Sequence, residues 1–368
     1  MATQIAKGGL EGVVVAETTL SRVDGERGRL VVRGHDVESL AKTTAFEGVF
    51  GLLLEGALPT PARQREISSA LGAGRQEAFE LLGGIGDALS APSGMDALRA
   101  SLAHLRPGDG DLTEHARIAG ATHVFAAAWS RTHRGQAPIA PDPSQGHAAD
   151  YLRTVTGTAP DPACSAALDA YLVTVAEHGM NASTFTARVV ASTQSDRVSA
   201  VVAAIGALKG PLHGGAPGPV LDMLDAIGEP ERAEAWLTEE LEAGRRIMGL
   251  GHRVYRVRDP RGAVLETAIE RLERRGVRSH YLRLARSVEQ AAIGALAKRH
   301  PNRRLETNVE FYTAVVLDAV GLEREMFTPT FAVARVAGWL AHAEEQFAAG
   351  RIIRPSQHYV GPMPEAAA

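Results

Sequence analysis

Three residues able to move protons, His213, His252 and Glu310, are set in distinctive company. His213 lies in GPLHGGAPGPV (residues 210–220), His252 in MGLGHRVYRVRDPRG (248–262) and Glu310 in TNVEFY (307–312). Each segment is polar or glycine-rich and stands beside long apolar runs of helical period. Two imidazoles and a carboxylate suit proton transfer at carbon. Residues 245–261 contain six arginines and one acid, Asp259. Gly249, Gly251 and Pro260 interrupt them, so they cannot all decorate one regular helix. Arginine forks in loops match carboxylates and phosphates, which points to an anionic substrate.

Each feature also has a plain structural reading. His213 alone could be a satisfied histidine in a helix–helix turn. The segment is not a Walker A loop, because no Lys-Ser/Thr follows its glycines. Glu310 alone is an acid in the first turn of a helix, where the macrodipole favours it. His178, in AEHGMNASTFTARV, could simply end a helix. A metal site is not expected: there is no HExxH, and the histidines are far apart in the chain.

The elements around these residues read as helical. At 368 residues the chain has room for two domains or one large one with a lobe. Hydrophobic residues make up 45% and charged residues 22%, which fits a folded globular chain. The net charge of −4 argues against general nucleic-acid binding. The one cysteine, Cys164, excludes an intrachain disulfide and reads as a buried small apolar residue. No window is apolar enough for a membrane span, and the N-terminus lacks a secretory signal, so a cytoplasmic location is expected.

The first 35 residues predict a small β segment, VVVAETTLSRVD and GRLVVRG around DGERG. Thr44-Ala-Phe-Glu47 fits a capping box, and Thr60-Pro61 an N-cap with proline at the first helical position. Helical periods then run through ATHVFAAAWSRT, CSAALDAYLVTVAEHG, FTARVVASTQ, PVLDMLDAIG, RAEAWLTEELEAGRRIMG, VLETAIERLERRG, EFYTAVVLDAVG and TFAVARVAGWLAHAEEQFAAG. The expected fold is mainly α. Residues 134–147, rich in proline and glycine, are a candidate linker.

The order and wording of these segments resemble the citrate synthase family. The match runs from GLEGVVVAETTLSRVDGERGRLVVRGHDVESLA through HGMNASTFTARVVAS and the three opening segments to MFTPTFAVARVAGWLAHAEEQ and RIIRPSQHYVGP. The resemblance implies a two-domain multihelical fold with a short N-terminal β segment. Residues 1–213 and 321–368 would form the large dimerisation domain, and 214–320 a small domain that closes over the site. It implies condensation of acetyl-CoA with oxaloacetate and water to citrate and coenzyme A, the first step of the tricarboxylic acid cycle, by a homodimer without a cofactor.

The implied roles follow residue by residue. His213 would stabilise the enol of acetyl-CoA, Glu310 would remove its methyl proton, and His252 would polarise the ketone of oxaloacetate. His178, Arg261 and Arg335 would bind oxaloacetate, with Arg354 supplied by the partner subunit. Arg256 would contact a coenzyme A phosphate. Three departures stand out. Glu310 falls where the family usually has aspartate, Pro217 where it often has asparagine, and Ser356 where a second basic residue is common. Three rivals remain: a 2-methylcitrate synthase using propionyl-CoA, a silent oxaloacetate-binding relative on account of Glu310, and a helical nucleic-acid binder using residues 245–261.

Overall fold

The computed structural model describes residues 9–364 apart from residues 11, 216, 252–254, 256, 278 and 300–306. It begins with a three-stranded antiparallel sheet. Strand β1 (Ser21–Asp24) pairs with β2 (Arg29–Val32), and β2 with β3 (His35–Asp36). Ser21 faces Val32, so Leu30 and Val32 point alternately inward and are buried. Only the end of the first expected run is a strand. Val13, Val14 and Val15 have no partner strand and line a cleft instead.

The rest is helical. Nine helices come first: α1 (Val37–Thr43), α2 (Phe46–Glu55), α3 (Pro61–Glu80), α4 (Gly94–Leu102), α5 (Leu112–His133), α6 (His147–Thr156), α7 (Pro162–Val175), α8 (Ala182–Ala191) and α9 (Arg197–Leu208). Then come α10 (Pro217–Ile227), α11 (Ala233–Glu242), α12 (Pro260–Arg274), α13 (His280–Arg299), α14 (Val309–Ala319) and α15 (Phe327–Ala349). No helix among the described residues is long and apolar enough to cross a membrane.

Helices α5 and α15 are the buried axes of the core. Gly74 of α3 and Gly120 of α5 let these two helices approach closely, and α15 packs on α5, α7, α8 and α9. Helix α12 packs on α7 and α14, and α10 and α11 pack on α13. Residues 134–146 connect α5 to α6, which lie against each other, so this stretch is a surface connection within one core rather than a linker. Cys164 sits on α7 half-buried at the edge of the core, less enclosed than its composition suggested.

The expected capping box does not form. Thr44 closes α1, its backbone N–H bonding Leu40 O, and α2 starts after Ala45. The free amide of Phe46 is taken by Asp169 Oδ1 of α7 at 3.0 Å. Glu47 turns inward to accept the backbone N–H of His147 at 2.7 Å. Burial, reinforced by neighbouring Glu47, lifts the Asp169 carboxyl to about 7. By contrast Thr60 caps α3 as expected, its hydroxyl accepting Arg63 N at 3.3 Å. Helix α11 ends at Glu242, short of its predicted end. Gly244 turns the chain at φ +71°, and Arg245 folds back on Glu240.

One contact in α15 anchors the end of α7 and with it the residues that follow. A Cβ on Gly338 would stand 2.4 Å from Ala176 O and 2.6 Å from Glu177 Oε2. The backbone oxygen cannot move aside cheaply. Gly338→Ala is expected to destabilise the protein by about 1–3 kcal/mol, read as a lowered Tm in calorimetry. An unchanged Tm would show that α15 slides freely on α7.

Candidate active site

A cleft of about 1090 Å³ opens where the end of α7, the start of α8, the turn after α9, the starts of α12 and α14, and α15 meet. Its volume is at the upper end for small-molecule sites. His178, His213, Arg261, Glu310 and Arg335 all line it. Five residues singled out from separate parts of the sequence are therefore brought to one concavity. His252 and Arg256 lie outside the described residues. Their neighbours are at the site: Gly251 O accepts Asn308 Nδ2 at 2.9 Å, beside the start of α14, and the Tyr255 hydroxyl lies 3.1 Å from His178 Nε2. Arg354 is exposed on the extended C-terminal segment and does not line this cleft.

The turn carrying His213 is fixed by its glycines. His213 N bonds Gly210 O at 2.9 Å and Gly214 N bonds Leu208 O at 3.0 Å. A Cβ at Gly214 would sit 2.5 Å from Leu208 O, so no larger residue fits there. The imidazole packs edge-on against Phe331 of α15. Its Nε2 meets Ser183 at the start of α8, 2.8 Å from Oγ and 3.4 Å from the backbone N–H. A backbone N–H can only donate, so Nε2 is assigned as the acceptor and the ring proton to Nδ1. Burial, with Arg335 nearby, lowers the His213 pKa to about 4. The ring is thus neutral at pH 7 and can act as a hydrogen-bond donor without a charge.

Glu310 is in the first turn of α14, where Asn308 caps its amide at 2.9 Å. The plain reading of its position is therefore correct, and its surroundings add the chemistry. Burial pushes its carboxyl up from the usual value, while Arg261 and Arg246 pull the other way. A carboxylate raised in this way is a stronger base than an exposed one.

The two arginines are held differently. Arg261, in the first turn of α12, is gripped by Asp259 through Nε at 3.0 Å and Nη2 at 2.7 Å. Burial opposes its charge, but Asp259 more than compensates and its pKa is raised. Arg335 donates Nε to Val175 O at 2.7 Å and lies over the Phe331 ring at 4.7 Å. Burial, with Arg261 close by, lowers it to about 10, so it stays charged at neutral pH. Two buried cations that repel each other on one wall are complementary to an anion of more than one charge.

His178 follows a buried anchor. Glu177 Oε1 accepts Gly179 N at 2.6 Å, the Ser21 hydroxyl at 2.8 Å and His342 Nε2 at 3.0 Å. Arg188 Nη1 faces His342 Nδ1 at 3.1 Å and can only donate, which puts the His342 proton on Nε2, towards Glu177. Sequence reasoning did not find Ser183, Tyr255 or the roles of Asp259 and Glu177. The one available signal was Asp259 itself, the sole acid among the arginines. Among the described residues no group of three or more His, Cys, Asp or Glu side chains could hold a metal. Of the six arginines at 245–261, Arg245, Arg258 and Arg261 already pair with Glu240, Glu266 and Asp259.

Comparison with known proteins bears on the same arrangement. The family model described as citrate synthase, C-terminal domain, matches residues 9–356. A citrate synthase of Deinococcus radiodurans is 38% identical over 98% of this chain and 96% of that protein. The crystal structure of the Thermotoga maritima citrate synthase superposes with a TM-score of 0.86 at 34% identity, covering 99% of this chain and 98% of that one. The Thermoplasma acidophilum enzyme, solved in ternary complex with carboxymethyl coenzyme A and oxaloacetate, gives 0.85 at 28% identity, covering 98% and 97%. The mainly helical fold, the ordered motifs and these matches agree: the chain belongs to the citrate synthase family of acyltransferases.

Proposed function

We propose that this chain condenses acetyl-CoA with oxaloacetate and water to give citrate and coenzyme A. The observation that carries the reading is the meeting of a carboxylate of raised pKa, Glu310, and a neutral histidine, His213, on one cleft with Arg261 and Arg335. A thioester α-proton is far less acidic than a carboxylic acid. Glu310 can take it only if the oxygen on which charge develops is stabilised in the same step. His213 donates to that oxygen. The resulting enol carbon attacks the ketone of oxaloacetate, which His252 polarises. Arg261 and Arg335, with His178, hold the dianion and fix the face it presents. Water then hydrolyses the citryl thioester.

Glu310 acts here as a working base, not as the mark of a silent relative. A backbone position that compensates for the extra methylene is part of this reading, since an uncorrected displacement of about 1 Å costs up to about 100-fold. No cofactor is required, because the thioester itself activates the carbon. Residues 214–320 form the lobe that closes over the substrates and excludes water. The working unit is a cytoplasmic homodimer, with Arg354 of the exposed C-terminal segment completing the site of a second copy and Arg256 contacting the coenzyme A phosphate. Nucleic acid is not a partner, given the internal pairing of Arg245, Arg258 and Arg261.

The nearest rival substrate is propionyl-CoA. One methylene is worth about 1–3 kcal/mol in a pocket, so both thioesters are expected to turn over, with acetyl-CoA favoured. Thiol release measured with each at saturating oxaloacetate gives the two kcat/KM values. A higher value for propionyl-CoA would overturn the choice of acetyl donor. No thiol release from either, with oxaloacetate still bound, would establish the silent relative.

A further inference from the structure

A second cleft, of about 550 Å³, lies where α1, α7 and α12 meet, away from the residues discussed so far. Ala163, Ala166, Ala167 and Ala170 of α7 form one wall, and Val264 and Ala268 of α12 the other. Small side chains leave an apolar slot between two packed helices. Its rim is cationic: Lys42 from α1, and Arg271, Arg274 and Arg275 at the end of α12. One acid, Asp161, also lines it, and its Oδ1 already caps Ala163 N at 2.7 Å.

Basic residues in the last turn of a helix are favoured by the macrodipole alone. That does not explain why cations from two separate helices converge on one alanine-lined hollow. Nor are these cations neutralised as others on the surface are. Arg63, Arg258 and Arg324 each have close carboxylate partners. Arg274 reaches Glu270 only at 3.9 Å, and Lys42, Arg271 and Arg275 form no ion pair with a carboxylate among the described residues. We propose that this cleft is a second binding site, for a small organic phosphate carrying a flat apolar ring. The ring would enter the alanine slot, and the arginine forks would take the phosphate oxygens.

The position implies coupling to the main cleft. Helix α7 lines the second cleft with its early turns and the active-site cleft with Tyr171 and Val175. Helix α12 carries Arg261 in its first turn and Arg271 ten residues later, about 15 Å along the axis. An occupant wedged between the two helices sets their spacing at one end, and Arg261 feels it at the other. The site itself stands independently of the proposed reaction; only the kinetic readout rests on it.

The test uses 1-naphthyl phosphate in calorimetric titrations of the full chain with the main cleft blocked by saturating oxaloacetate and coenzyme A. One saturable site is expected. Affinity should fall about tenfold or more in the Arg271→Ala/Arg275→Ala double variant, and similarly for 1-naphthol, which lacks the phosphate. Ala166→Trp, at an exposed helical position, should fill the slot and abolish binding, which keeps the test decisive if the double variant misfolds. The double variant should keep normal turnover without the ligand, whereas the tryptophan variant is read by binding alone. In the unaltered enzyme the ligand should change KM for oxaloacetate. The absence of saturable binding to the blocked protein, or equal binding by the variants, would overturn the site. Binding with no change in KM would overturn the coupling. An inactive enzyme that still binds the phosphate would count against the proposed reaction and leave the site standing.

Discussion

Glu310→Gln is expected to lower kcat by about 10²- to 10⁴-fold while leaving the fold intact, because it removes the proton acceptor and little else. The amide keeps the size of the carboxyl and the cap that Asn308 gives the backbone amide. Stability should move the opposite way from activity. The folded pKa of Glu310 is raised by burial, so between the ordinary glutamate value and that raised value the folded state binds more protons than the unfolded one. Stability therefore falls as pH rises through this window, because ionising the carboxyl in the folded state is a net cost. Glutamine relieves it. Thermal unfolding at pH 7 should give the variant a Tm equal to or above that of the parent, with the advantage fading at pH values below the ordinary glutamate value. Near-normal turnover would place the base elsewhere. Lost turnover with a much lower Tm would make Glu310 a structural residue. In the parent enzyme the acid limb of kcat/KM should lie above the usual glutamate range, since activity requires the ionised form.

His213→Ala should lower kcat by about 10²- to 10³-fold, the usual effect of losing one donor to a developing oxyanion. Oxaloacetate affinity, measured by calorimetry, should change little, because Arg261 and Arg335 are held by Asp259 and Val175 rather than by His213. A parallel loss of oxaloacetate binding would mean that His213 shapes the pocket instead of acting on the thioester. The depressed pKa gives a separate check. A buried neutral histidine contributes stability above its unfolded value, near 6.5, and loses it as pH falls towards about 4. A histidine resonance assigned to His213 should show no titration near 6.5. Protonation there would remove the neutral donor from the mechanism.

The mainly helical fold and the residues that line the cleft were more legible in the sequence than the contacts that position them. His178, His213, Arg261, Glu310 and Arg335 lie in distinctive local strings, and local strings survive being read in one dimension. What escaped was contributed across long separations. Asp169 caps α2 from more than a hundred residues away, so the nearby Thr44 looked like the cap. Ser183 orients His213, and Glu177 is anchored by Ser21 and His342, through contacts that no spacing announces. Helix α13 was missed because arginine and alanine blur its apolar period, although Leu282, Val288, Ala292 and Leu296 bury one face. The VVV run misled in the other direction: β-branched residues favour strands, but a strand also needs a partner, and these line a cleft instead.

Asp259 takes the Nε–Nη2 edge of the Arg261 guanidinium before any substrate is present. The loss of rotational freedom that a long cationic side chain normally suffers on meeting its ligand has already been incurred during folding. In the proposed reaction an incoming carboxylate therefore meets a fixed donor rather than recruiting a mobile one, and the Nη1 group is the one Asp259 leaves unengaged. Lysine in the same place would keep the charge and forfeit the aim. Much of the selectivity of this wall of the cleft thus resides in an acid that need never touch the substrate.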